Sequence, residues 1–276
     1  MKISYISDIH LDWHVPFVKN QTKWEERSRA FIRKLIKTDK TNRDVLIVAG
    51  DLSHSNRQSF WIVDEFARMY EQVYICLGNH DYYLTSETQA ANYRNHSLNR
   101  LNELLGLLEH FTNVKVLIGF EKHQITETIS IAGDTFWYPI ESLEQISFFH
   151  NISNDSKYIK GLNIGLEHNY TMTNYEHLDT ATIIVTHIPP IILNSHVQYN
   201  STACYLNPVH ELKAQHWICG HCHEQAVYSK TYGTFYINAI GYNDEFKVWH
   251  PTNELYNSKT WDDAYYSWYS IKHFDV

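Results

Sequence analysis

No stretch of this sequence stays apolar for the roughly 18–20 residues that a membrane-spanning helix needs, and Met1-Lys2-Ile3-Ser4-Tyr5-Ile6-Ser7-Asp8 holds no basic leader running into a long apolar core. A soluble cytoplasmic protein without a membrane partner is therefore expected. Cysteine is scarce: Cys76, Cys204, Cys219 and Cys222 are too few for a disulfide framework in 276 residues, which also suits a reducing compartment. Basic charge is short as well, with 23 Lys and Arg against 31 Asp and Glu and a net charge of −8. The footprint of a general nucleic-acid binder is missing. No low-complexity run or Gly/Ser linker marks a boundary, so residues 1–276 read as a single domain, long enough to bury its own core.

What the chain does have is a repeated β-α-β rhythm. Strands are expected at Lys2–Ser7, Asp44–Ala49 and Val73–Leu77, with helices between them carrying Trp24, Phe31, Ile32, Leu35 and Ile36, then Phe60, Val63, Ala67 and Tyr70, on one face. Leu98, Leu101, Leu104, Leu105 and Leu108 predict a further amphipathic helix. Strands follow at Val114–Leu117, Ile125–Ala132, Thr182–Thr186 and His216–Cys219, with antiparallel ones at Ala226–Ser229, Thr234–Asn238 and Phe246–His250. Residues 137–180 have the weakest periodicity and read as a helical cap insertion over the site. Residues 256–276 form an aromatic C-terminal tail expected to pack back on the domain.

Five of these strands end in polar residues: Asp8 and His10, Asp51, Asn79 and His80, His187, and His221 and His223. Such ends are where α/β proteins place ligands and chemistry. Singly, each has a plain alternative, since a strand-end Asp or Asn commonly forms a turn or caps a helix. Together they give carboxylate, imidazole and amide donors without thiolate, a set suited to paired ions such as Mn, Fe or Zn. Cys219 and Cys222 form a C-x-x-C, but no second pair accompanies it, and His221 inside it and His223 beside it belong to the larger pattern.

The blocks Asp8-Ile9-His10, Gly50-Asp51, Gly78-Asn79-His80-Asp81, His187 and Gly220-His221-Cys222-His223 resemble, in order, the signature of the calcineurin-like metallophosphoesterase superfamily. That resemblance implies a four-layer α/β/β/α sandwich with two mixed β-sheets. It implies two divalent metal ions, Mn foremost, with Fe, Zn or Ni as alternatives. One ion would take Asp8, His10, Asp51 and His223, and the other Asp51, Asn79, His187 and His221, with Asp51 bridging. A hydroxide between the ions would attack phosphorus while His80 protonates the leaving group. Asp81 would orient His80 and hold it protonated.

Within the superfamily, Gly50-Asp51-Leu52-Ser53-His54 lacks the D-R-G continuation typical of protein Ser/Thr phosphatases, and Asp81 replaces their Glu. His54 stands where the repair nucleases of the superfamily carry a substrate-facing histidine; a surface or helix-capping role is the alternative. Asn154-Asp155-Ser156-Lys157-Tyr158-Ile159 and Ile237-Asn238-Ala239-Ile240-Gly241-Tyr242 resemble elements of a functionally uncharacterised bacterial and phage branch. The resulting expectation is a phosphodiester or phosphomonoester hydrolase acting on a small, nucleotide-type partner. His54, His196, Asn200 and Tyr158 are its candidate substrate contacts. A DNA/RNA nuclease is the second reading, and a non-catalytic metal-binding scaffold the third.

Overall fold

The computed structural model of the chain describes residues 1–199, 201–242 and 269–276. Its first sheet is built from β1 (Lys2–Ile6), β2 (Val45–Ala49), β3 (Gln72–Cys76) and β4 (Val114–Leu117), all parallel. The second contains β5 (His123–Gln124), β6 (Ser130–Asp134), β7 (Ile183–Thr186), β8 (His216–Cys219), β9 (Gln225–Lys230) and β10 (Gly233–Asn238), in the order β5-β6-β7-β8-β10-β9. Strands β6, β7, β8 and β10 run parallel, with β5 and β9 antiparallel at the two edges. The last strand, β11 (Lys272–Asp275), returns to the first sheet and pairs antiparallel with β1, Phe274 opposite Ile3.

Alternation along the strands makes the layers. In β2, Val45, Ile47 and Ala49 point to the space between the sheets, where they meet Ile131, Ile183, Val185 and Ile218, while Leu46 and Val48 point outward. After the single turn α1 (Leu11–His14), the helices α2 (Gln21–Thr38) and α3 (Asn56–Met69) and, beyond the short α4 (Glu87–Asn92), α5 (Ser97–Leu108) cover that outer face with Phe31, Ile32, Leu35, Phe66 and Leu104. Asn20 caps α2 by accepting from the Lys23 amide at 3.0 Å. On the far side of the second sheet, Trp217 and Phe235 pack against Phe136 and against Tyr175 of α8 (Ile164–His177). Helix, sheet, sheet and helix are thus stacked in four layers, the sandwich expected from the sequence.

One expectation changes. The strand proposed over Ile125–Ala132 is broken, because Thr126 folds its hydroxyl over the amides of Thr128 and Ile129, at 3.3 and 3.1 Å. The Ile125 amide closes that turn on the Ile129 carbonyl at 2.9 Å, leaving β5 and β6 on either side. The strand Phe246–His250 lies outside the described residues, as does the tail through residue 268. Its continuation places Tyr269 in the core, 1% exposed, ahead of β11. Residues 137–180 form α6 (Leu143–Asn151), α7 (Asn154–Tyr158) and α8; Phe148 and Ile152 from this excursion reach the mouth of the site.

Candidate metal centre

Every strand-end block arrives at the same place because parallel strands of both sheets point their C-terminal ends one way. Ser7 bridges to Ala239, its amide bonding the Asn238 carbonyl and its carbonyl accepting from the Ile240 amide, each at 3.0 Å, so the two sheets are tied together just beneath the site. The backbone there is strained. Asp8, His10, Asp51, His221 and His223 all have positive φ, between 41° and 68°, a conformation costing a non-glycine residue on the order of 1 kcal/mol and recurrent at functional sites. Two glycines are dictated by close approach: a Cβ on Gly78 would sit 2.1 Å from Asp51 Oδ1, and one on Gly50 2.4 Å from His187 Nδ1.

The side chains form two clusters around one carboxylate. In the first, His10 Nε2 lies 3.0 Å from His223 Nε2, and His223 Nε2 lies 3.8 Å from Asp8 Oδ1. In the second, Asn79 Oδ1 lies 2.9 Å from His187 Nε2 and 3.2 Å from His221 Nδ1, the two nitrogens being 3.3 Å apart. Asp51 Oδ2 stands between them, 3.5 Å from His10 Nε2 and 3.3 Å from His187 Nε2. Facing ring nitrogens with lone pairs converging on a carboxylate are a poor arrangement for one another and a good one for a cation.

The surroundings fit that occupant. Asp8 Oδ2 is buried without a hydrogen-bond partner, as is His10 Nδ1, and an orphaned carboxylate oxygen at 0% exposure is costly unless a cation answers it. Burial pushes the Asp8 carboxyl above its ordinary value. Burial also raises Asp51, but His187, His80 and His10 outweigh it and hold that carboxyl well below its ordinary value. Burial, with His80 and His187 respectively, keeps His10 and His221 neutral, the state in which imidazole binds metal. His187 is the exception: burial lowers it, yet Asp51 and Asp8 raise it to about 9. Outer partners orient these rings: the carbonyls of Ala49 and Cys204 hold the far nitrogens of His187 and His221 at 2.9 and 3.0 Å.

His80 lies beside both clusters, its ring 4.6 Å from that of His10. The partner expected for it is wrong. Asp81 turns its carboxylate back to accept from the amides of Asp51, Leu52 and Gly78 at 3.1, 3.2 and 2.9 Å, because successive side chains of the short 3-10 turn Asn79–Tyr82 diverge. Asp81 therefore braces the backbone beneath the two clusters. His54 orients His80 instead: its Nε2 lies 2.7 Å from His80 Nδ1, the rings stacked at 4.9 Å. Burial and the neighbouring imidazoles push His80 down to about 3, against the expectation that a carboxylate keeps it protonated.

The other expected contacts divide. His196 borders the cleft, but its Nδ1 accepts from the Leu193 amide at 2.8 Å and its Nε2 faces the Tyr205 carbonyl at 2.9 Å, so both ring nitrogens are spent on the backbone. Tyr158 packs behind Tyr83, ring centroids 5.4 Å apart, and does not border the cleft. Asn200 lies outside the described residues. Sequence reading missed Asp12 and Arg100, and the roles of Asp155 and Tyr242. Arg100 had a visible signal, since helical period puts it on the buried face with Leu104 and Leu108; its guanidinium bonds the carbonyls of Ser53, His80 and Tyr83 at 2.7–2.9 Å. Tyr242 lies over His10 and His223, with ring centroids at 4.7 and 4.6 Å.

A shared carboxylate flanked by two imidazole-bearing clusters, open to a cleft of about 340 Å³, is the centre of a metal-dependent hydrolase. The esters it cuts follow from kinship. The sequence profile described as calcineurin-like phosphoesterase matches residues 1–225, and the chain belongs to that family of metal-dependent phosphoester hydrolases. Its fold is similar to that of a phosphopantetheinyl hydrolase from Mycobacterium tuberculosis, at a TM-score of 0.63 and 16% identity, covering 90% of this chain and 92% of that one. A metallophosphoesterase from Sphaerobacter thermophilus overlaps more loosely, at a TM-score of 0.32 and 12% identity over 87% of this chain and 77% of that one. No curated protein sequence is significantly similar to the chain.

Proposed function

We propose that the protein hydrolyses a small phosphodiester or phosphomonoester of nucleotide type, with two divalent ions, Mn foremost, in the cytoplasm. The observation carrying this reading is the position of Asp51 Oδ2 between the two nitrogen clusters. Asp8, His10, Asp51 and His223 would hold one ion, and Asp51, Asn79, His187 and His221 the other. When bound, such a pair supplies Lewis acidity toward phosphoryl oxygens and lowers the pKa of a water between them.

The chain's own residues then manage the leaving group. Asp12 can only accept, so its Oδ2, 2.7 Å from His54 Nδ1, fixes the proton there. His54 Nε2 is left as an acceptor for His80 Nδ1–H, which turns His80 Nε2 toward the cleft and Tyr242, whose hydroxyl is 3.4 Å away. An anionic ester beside His80 favours its charged form and so brings the proton that the departing alkoxide takes. Phe148 and Tyr205 give the cleft an apolar wall for the ester's organic part.

Rates on bis-p-nitrophenyl phosphate and p-nitrophenyl phosphate with Mn, Ni, Zn and Mg, followed by cyclic and linear nucleotides, test the proposal. No metal-dependent turnover on any of them would defeat it. The contact between His54 and His80 favours a second reading, a DNA/RNA nuclease, over which the net charge of −8 ranks small substrates. Linear DNA cut at low enzyme concentration, with the cutting lost in His54→Ala, would reverse that order.

A further inference from the structure

Asp155 is a carboxylate buried to 3% exposure, and no Lys or Arg bonds it among the described residues. Its partners are all neutral donors. Oδ1 accepts from Asn79 Nδ2 at 2.7 Å and from the Tyr83 hydroxyl at 2.5 Å, while the Tyr138 hydroxyl donates to Oδ2. Tyr83 and Tyr138 are themselves buried, at 2% and 0%. Burying an ion with this little compensation is expensive, and burial does push its carboxyl above the ordinary value. A structural core would be served as well by an apolar side chain.

The arrangement has a direction. An asparagine amide presents oxygen on one side and NH2 on the other, and only the oxygen can face a metal ion. Asp155 accepts and cannot donate, so it selects the NH2 end of Asn79. Tyr83, having given its proton to Asp155, accepts a second bond from Asn79 Nδ2 at 3.1 Å. With the NH2 end held twice, Asn79 Oδ1 has one place to go, between His187 Nε2 and His221 Nδ1. Tyr83 also stacks on His80 at 4.2 Å, which extends the same scaffold to the proton donor. Asp155 and Tyr138 both come from the excursion 137–180, 76 residues from Asn79 in the case of Asp155.

We propose that Asp155 is a positioning residue that holds the Asn79 amide oxygen-inward, and that the cap thereby sets the metal affinity of the Asn79–His187–His221 cluster while leaving the Asp8–His10–His223 cluster untouched. This rests on the reading of Asn79 as a ligand. Asp155→Asn keeps the shape but makes this partner two-way: with its NH2 in the place of Oδ1 it donates to Asn79 Oδ1 and to Tyr83, whose hydroxyl rotates to accept, so the Asn79 amide is no longer held one way round.

The test titrates Mn2+ alone into metal-stripped full-length protein, following bound ion by calorimetry and electron paramagnetic resonance. Two sites are expected in the wild type. In Asp155→Asn one should keep its affinity while the other weakens about 10–100-fold, the usual cost of losing an outer-shell partner. Two sites of unchanged affinity, or both weakened alike, would overturn the proposal. Asn79→Ala separates the two ideas: if it weakens one site and Asp155→Asn does not, Asp155 alone is misassigned, whereas if it weakens neither, the ligand reading falls and takes this inference with it. Should Asp155→Asn not fold, the wild type decides by NMR. The side-chain NH2 of Asn79, assigned by its loss in Asn79→Ser, should exchange slowly with solvent in the stripped protein; exchange as fast as that of exposed asparagines would overturn the proposal.

Discussion

Nδ1 of His80 lies 2.7 Å from Nε2 of His54, and Nδ1 of His54 lies 2.7 Å from Asp12 Oδ2. The three form a line that ends in the cleft. Burial raises the Asp12 carboxyl, but His54 pulls it down further, to about 2, so it stays an acceptor at any working pH. Removing His80 should lower the rate by about 10²–10⁴-fold on an alkyl or nucleoside ester and less on a nitrophenyl ester, whose leaving group needs no proton. Asp12→Asn and His54→Ala should reproduce that leaving-group dependence at smaller amplitude, since they disturb the tautomer of His80 and spare its ring. The ratio of kcat for the two ester types checks this; a loss equal on both would remove the line from proton transfer.

Asp8 and Asp51 are buried at 0% and 1%, and Asp8 Oδ2 has no partner. Without a cation the unanswered charge on Asp8 opposes folding, and with one it anchors the ion. Stripping metal with a chelator should therefore lower the melting temperature. Asp8→Asn should raise the melting temperature of the stripped protein above that of stripped wild type, while gaining less from added Mn2+. Calorimetric melts with and without metal measure both; an Asp8→Asn protein less stable than wild type when stripped would show that Asp8 supports the fold through its bond from the His221 amide at 2.8 Å.

The parts of this molecule that were legible in the sequence are those where chemistry restricts residue type and topology restricts place. Asp8, Asp51, Asn79, His187 and His221 could be read because each follows an apolar strand, and parallel strands gather their ends. Side-chain direction was not legible. Asp81 is adjacent to His80 in sequence, but within a 3-10 turn adjacency means divergence, and His54, from another loop, takes the place assigned to it. The segment holding Asp155 was visible as a motif, but its role was not: the helices of residues 137–180 have no strong periodicity, and a contact spanning 76 residues leaves no local trace.

Away from the site, Glu65 of α3 is bonded by Arg33 at 2.8 Å and by Arg29 at 3.0 Å. Burial raises its carboxyl, but the two guanidinium groups outweigh burial and hold it below the ordinary value of 4.5. The unfolded chain therefore takes up this proton first as pH falls. The stabilisation is fully present above about pH 4.5 and is lost progressively below it, down through the depressed folded value. Glu65→Gln should lower stability near neutral pH and flatten its decline in acid. Urea unfolding between pH 3 and 7 checks this; parallel acid limbs for variant and wild type would place the titration elsewhere.

Arg100 gives the sharpest separation of folding from catalysis. It is 0% exposed, and its guanidinium bonds three backbone carbonyls, those of Ser53, His80 and Tyr83, together with Asn56 Oδ1 at 3.1 Å. One residue of α5 thus ties the loop carrying His54 to the turn carrying Asn79 and His80. Arg100→Met fills much of the volume but leaves the Ser53 and Tyr83 carbonyls without their donor, at about 1–3 kcal/mol for each one that water cannot reach, and the His80 carbonyl with only the Tyr83 amide. The expected loss of stability is about 3 kcal/mol or more, read as a lower urea midpoint. Arg100→Lys keeps a charge with fewer donors and no fork, so it should restore part of the stability. Because the same carbonyls fix the His54 and His80 backbones, folded Arg100→Lys should also lose rate more on alkyl esters than on nitrophenyl esters. A variant that loses stability with no change in that ratio would confine Arg100 to the fold.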